Sequence, residues 1–171
     1  MTTRQLLALA AQCLATGLVG LMAGFFFAFS VDVAPAMREL DAQAYITTQQ
    51  AINRVVRNLP FALVYFGAAG TPFLAAAALH LAGRKTQARL WLGIAVFYVL
   101  GVFVLTREIN IPINDALALW DPKAPPAHWM QARDDWNFAN LLRCLAACLS
   151  FAAGLAVLGW RGGMPREPDG R

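Results

Sequence analysis

Between Arg4 and Asp32 the chain carries no charged residue, and from Leu59 to Gly83 it holds no Asp, Glu, Lys or Arg. A helix needs about 20 apolar residues to cross the hydrocarbon core of a bilayer, and both stretches are long enough. Two shorter uncharged runs follow, 90–105 and 144–160. Only 14% of the residues are charged and the mean hydropathy is +0.50, against about 25% charge in a soluble domain. The expected fold is an all-α integral membrane protein, a four-transmembrane-helix bundle embedded in a lipid bilayer. Its spans fall at about 6–31, 59–83, 90–109 and 136–160, in a single domain over 1–160.

The segments between spans have distinct characters. From Asp41 onward, the polar stretch 32–58 has helical periodicity. Tyr45, Ile52, Val56 and Leu59 make an apolar side, and Gln49, Asn53 and Arg57 align at i, i+4, i+8. This predicts an additional amphipathic helix between the first and second spans, lying at the interface or over the bundle. "RKTQAR" (84–89) reads as a tight hairpin with three positive charges. The prolines of 110–135 argue against a continuous helix there. "RGGMPREPDGR" (161–171) reads as a disordered tail.

The formal charge of +4 does not imply a nucleic-acid partner, because the basic residues are scattered and form no stripe. In a membrane protein they are orientation signals, and the dense hairpin places it and both termini in the cytoplasm. Cys13, Cys144 and Cys148 lie in apolar runs and read as packing residues. His80 and His128 fall at opposite ends of the molecule, so no metal or haem site is expected. The first run is too long for the core of a removable signal, roughly 7–15 residues. Gly20 and Gly24 form a small-xxx-small pair that allows close helix approach, and glycine faces of this kind allow a homo-oligomer.

The third and fourth uncharged runs are too short to cross alone. To reach full length, the third must draw Arg107 and Glu108 to the membrane boundary, and the fourth must draw in Asn140 and Arg143. Asp32 and Asn58 end and open the first two spans on the same side. Trp136, Asn140 and Arg143 share one helical face at i, i+4, i+7. Ionisable groups at this depth usually point into the bundle or a wet cavity. A polar pocket is therefore expected at this end, with Phe25, Phe29, Phe61, Tyr65, Trp129 and Trp136 as walls for a flat aromatic or quinone ligand. A purely architectural reading stands beside it. Arg107 or Arg143 pairs with Glu108, Asp115 or Asp32 to close the bundle, Asn114 caps a helix, and Asn110 satisfies turn carbonyls.

"AGFFFAFSVDVAPAM" (23–37), "QAIN" (50–53), "NLPF" (58–61), "TREINIPINDALA" (106–118) and "WNFANLLR" (136–143) occur in order. The set resembles a family of small bacterial membrane proteins grouped with the fungal anthrone oxygenases, and the resemblance covers about 17–155. Asn110, Pro112 and Asn114 match an N-x-P-x-N loop, and Trp136, Asn140 and Arg143 match W-x-x-x-N-x-x-R; Asn53 matches the Asn closing the first polar segment. Many relatives carry His where this chain has Leu141, so a mechanism using that imidazole does not transfer. The resemblance implies a bacterial inner-membrane protein that oxidises a polycyclic phenol, anthrone or quinol with O2 and no cofactor. In that chemistry Glu108 is the expected base, with Arg143, Asn110 and Asn140 holding the oxyanion. Asn53, Asn114, Trp136, Asp32 and Arg107 are the expected substrate-binding groups. The alternative is a non-catalytic lipid- or quinone-binding protein or complex subunit. A transporter is disfavoured because no charge sits at mid-bilayer.

Overall fold

The computed structural model describes residues 1–160, and the expected tail at 161–171 lies outside them. Four helices are long and apolar enough to cross a membrane: α1 (Thr3–Arg38), α3 (Leu59–Leu81), α4 (Lys85–Ala118) and α5 (Trp129–Gly159). The shorter α2 (Ala42–Val55) lies between α1 and α3 in sequence. No strand occurs among the described residues, and the all-α four-span bundle with one extra helix is the architecture the sequence implied.

The distribution of side chains identifies the solvent. Ala15, Ala68, Ala75, Ala95 and Ala147 are wholly buried, while Leu7, Leu63 and Leu149 lie on the outside. Small residues within and leucines without invert a water-soluble core and suit helices whose surroundings are lipid. Close approach is taken furthest at glycines. Gly20 faces the Phe151 ring and Gly154 faces Trp91, each so close that an added Cβ would collide or press on the ring. The Gly20–Gly24 pair is thus split: Gly20 packs inside the bundle, and only Gly24 looks outward. One buried polar contact, Trp91 Nε1 donating to Gln12 Oε1 at 3.1 Å, ties α4 to α1.

Three spans are longer than the sequence implied. α1 continues past 31 through Pro35, and α4 continues past 109 through Pro112 to Ala118. Each proline follows a π-helical turn, Phe29–Val33 before Pro35 and Thr106–Asn110 before Pro112. A widened turn relieves the clash between the proline ring and the carbonyl four residues back, so the helix passes through. α4 holds a second π segment at Val99–Val104. α5 also begins earlier than expected, at Trp129 rather than Trp136. Between α4 and α5, non-helical chain is therefore confined to 119–128 rather than spanning 110–135.

α2 roofs the bundle. Asp41 caps its start, accepting from the Ala44 amide at 2.8 Å. Its amides face inward: Gln50 Nε2 donates to the Leu117 and Trp120 carbonyls at 2.9 and 3.0 Å, and Gln49 is buried with Tyr45 and Ile46. Burial pushes the Tyr45 phenol up to about 12, with smaller opposing effects from Arg133 (lowering) and Asp134 (raising). The neutral phenol is the docked form, so its contribution is complete below pH 10 and is lost as pH climbs through 12. Protease sensitivity of α2 is expected to rise over that window, and Tyr45→Phe is expected to flatten the rise.

Candidate functional site

Beneath α2 lies a cavity of about 580 Å³ with contributions from all five helices. That size falls within the range of about 300–1,000 Å³ usual for small-molecule sites. Aromatic rings make a large part of its wall. Phe61 stacks on Tyr65 with centroids 5.7 Å apart, Phe25 leans on Phe61 at 5.2 Å, and Phe29 leans on Trp136 at 5.0 Å.

Arg143 supplies the charge. It is 6% exposed, and its guanidinium lies between the Phe26 ring (4.9 Å) and the Trp136 ring (5.3 Å). Nη1 donates to Thr106 Oγ1 at 3.1 Å and Nη2 to Asn140 Oδ1 at 2.9 Å. Both acceptors are oriented from behind. The Thr106 hydroxyl spends its proton on the Val102 carbonyl at 2.6 Å, and Asn140 Nδ2 donates to Ser30 Oγ at 2.8 Å. A guanidinium has five N–H groups, so three remain, including Nε–H, which has no partner among the described residues. No carboxylate pairs with Arg143 among the described residues. A buried cation held by rings and neutral acceptors retains its charge for whatever enters the cavity.

A second polar chain closes the roof. Gln49 Nε2 donates to Asn53 Oδ1 at 3.1 Å, and Asn53 Nδ2 donates to Asn114 Oδ1 at 3.0 Å. The same Asn114 oxygen accepts from Trp136 Nε1 at 2.8 Å. Arg57 and Asp115, both exposed, face one another across the rim at 3.7 Å.

Asn53, Asn114, Trp136, Asn140 and Arg143 thus meet at one cavity, the last three on the single α5 face that their spacing implied. Asn114 is not a helix cap, since it lies within α4 and bonds to α2 and α5. The other four expected residues are elsewhere. Glu108 is exposed on the outer side of α4 and pairs with the exposed Arg107 at 3.5 Å; neither lines the cavity. Asp32 is exposed on α1. Asn110 is buried, but its amide donates to the Trp136 carbonyl at 3.2 Å, so it fastens α4 to α5 rather than holding an oxyanion. Trp129 packs against Tyr45 and Arg133 instead of the cavity. The pairings that would merely close the bundle do not form at Arg143. Leu141 points outward, so the imidazole missing at that position would not have reached the cavity.

Thr106 and Ser30 were not singled out from the sequence. Both sit in or beside the π turns, where no regular projection predicts their facing. Because Glu108 faces outward, Glu108→Gln is expected to leave any activity of the cavity within about two-fold of the parent protein, read as substrate-dependent O2 uptake.

The fold and cavity describe a helical integral membrane protein with an aromatic, cation-bearing pocket at one end of the bundle. A family model described as Anthrone oxygenase matches residues 61–153, and the chain belongs to that family. No curated protein and no solved structure matches the chain.

Proposed function

We propose that the cavity binds a flat polycyclic phenol or anthrone, stabilises its enolate on Arg143 and allows O2 to oxidise it. The observation that carries this reading is the buried guanidinium without a carboxylate, opening onto an aromatic-walled space. The family's description names the anthrone class and supports it.

An anthrone holds its acidic C–H on a carbon between two aromatic rings. Loss of that proton leaves an enolate whose charge rests on the oxygen, and the free N–H groups of Arg143 favour this form over the neutral ketone. No Asp or Glu lines the cavity among the described residues. Tyr65 lines the cavity beside Thr106 and Arg143, and in this reading its hydroxyl passes the proton on to water in the cavity. O2 then adds to the ring carbon, taking the electron pair of the enolate and then a proton to give a hydroperoxide. Loss of water with the second hydrogen of that carbon leaves the quinone carbonyl. One O2 is consumed, one of its atoms entering the quinone and the other water.

We propose a bacterial inner-membrane location from the family resemblance, and an orientation with the "RKTQAR" hairpin and both termini cytoplasmic from that hairpin's positive charge.

The test is O2 uptake by reconstituted protein given anthrone, with labelled O2. Uptake well above slow spontaneous oxidation, with one labelled oxygen in the quinone, supports the reading. Tight binding of anthrone or of a quinone without uptake would instead make the cavity a quinone-binding site.

A further inference from the structure

The cavity has two possible faces to the outside, and they differ in character. Toward the α2 end it is covered by the Asn53–Asn114 bond, the two Gln50 bonds and the Arg57–Asp115 pair. Toward the side it is bounded by Leu59, Ala62 and Phe66 of α3 and by Ile111 of α4. Leu59, Phe66 and Ile111 are 70%, 61% and 43% exposed, so the same apolar side chains line the cavity and form the outer surface of the bundle. The backbone explains the opening. α3 packs closely on the Lys85–Tyr98 part of α4, whereas close contacts between α3 and the Val99–Ala118 part are sparse. Rings bridge the lower part of the gap, Phe103 meeting Tyr65 at 5.4 Å and Phe66 at 5.9 Å, with Thr106 beside the Tyr65 hydroxyl. Above Thr106 no side-chain hydrogen bond or ion pair joins α3 to α4 among the described residues.

We propose that this gap is the substrate's entrance, through which a lipophilic, hydroxylated polycyclic aromatic passes sideways from the bilayer between α3 and α4, oxygen foremost, to Arg143. The inference rests on the oxyanion reading of the cavity and adds to it the source of the substrate. A tricyclic phenol dissolves in lipid rather than water. An apolar portal spares it a return to water, while the hydrogen-bonded roof keeps water from the enolate.

The experiment uses the full chain in vesicles, with Cys13 and Cys148 replaced by Ser and Ala to remove the accessible thiols, Cys144 being buried. One variant carries Ala62→Cys and Ile111→Cys, joined across the gap by a reducible bis-maleimide. A second carries Arg54→Cys and Ala118→Cys, joined across the roof, where both residues border one shallow cleft. The readout is the association rate of anthrone under nitrogen, followed by quenching of tryptophan emission, so that turnover plays no part. The portal link is expected to slow association at least ten-fold, with recovery when the linker is reduced, while the roof link leaves it within two-fold. Unchanged association across the portal link, or slowing by the roof link alone, overturns the lateral entrance and leaves the oxygenase reading intact. No binding by the unlinked protein removes the site on which both readings rest.

Discussion

Arg143→Met is expected to abolish anthrone-dependent O2 uptake while leaving the bundle as stable as before, or more stable by up to about 2 kcal/mol. The two effects have opposite signs because the guanidinium is buried without a carboxylate. Removing a charge from such a place recovers its desolvation cost, and a methionine of similar length fills the slot between Phe26 and Trp136. Against this stand the two hydrogen bonds to Thr106 and Asn140, each worth about 1 kcal/mol net and somewhat more for a charged donor. Loss of one oxyanion donor typically costs about 10²–10³ in rate, and here the whole donor set is removed. Uptake should therefore fall at least 100-fold. Thermal unfolding in detergent, followed by near-UV circular dichroism, supplies the other half of the measurement. A fall in melting temperature alongside the lost activity would show that Arg143 serves the architecture. Arg143→Lys retains the charge but not the planar fork, and partial uptake is expected from it.

The reach of the sequence differed from helix to helix, and the backbone explains why. α5 is regular from Trp129 to Gly159. A 3.6-residue projection therefore placed Trp136, Asn140 and Arg143 correctly on one face. The apolar runs located all four spans because lipid demands length and lack of charge, both properties of sequence alone. α4 behaved differently. Its two π segments, Val99–Val104 and Thr106–Asn110, change the rotation per residue just where the polar groups lie. Thr106 turns inward to Arg143, and Glu108 turns outward to Arg107. For Glu108 the place along the helix was legible, and facing was not. The same device in α1, at Phe29–Val33, brought Ser30 to Asn140 and left Asp32 on the outside. A following proline marks two of the three π turns, and nothing in the local sequence marks the one at Val99–Val104. Pro112 suggested a helix end, whereas at both Pro35 and Pro112 the helix passes through on a widened turn. Regularly spaced groups on regular helices were readable, and groups aimed by backbone defects were not.

Asn114→Leu is expected to raise the KM for anthrone by about ten-fold or more while changing kcat little. The Asn114 side-chain oxygen is the common acceptor for two donors from different helices, Asn53 Nδ2 of α2 and Trp136 Nε1 of α5. Leucine matches the shape and accepts neither. Each half-buried donor left without a partner costs about 1–3 kcal/mol, so the roof loses much of what holds it over the cavity, although the Gln50 bonds to Leu117 and Trp120 remain. Trp136 is freed at its edge, and with it one of the cavity's aromatic walls. Arg143 is less affected, because its bonds to Thr106 and Asn140 come from other directions. The change therefore falls on binding rather than on the chemical step. Trypsin should cut more readily at Arg54 and Arg57, both exposed on the roof segment, as α2 loosens. Asn114→Asp supplies an acceptor again, and KM should return most of the way toward that of the parent protein. A collapse of kcat in Asn114→Leu with KM unchanged would have a different meaning: Asn114 would then touch the reacting atoms, and the enolate would lie nearer the roof than Arg143 implies.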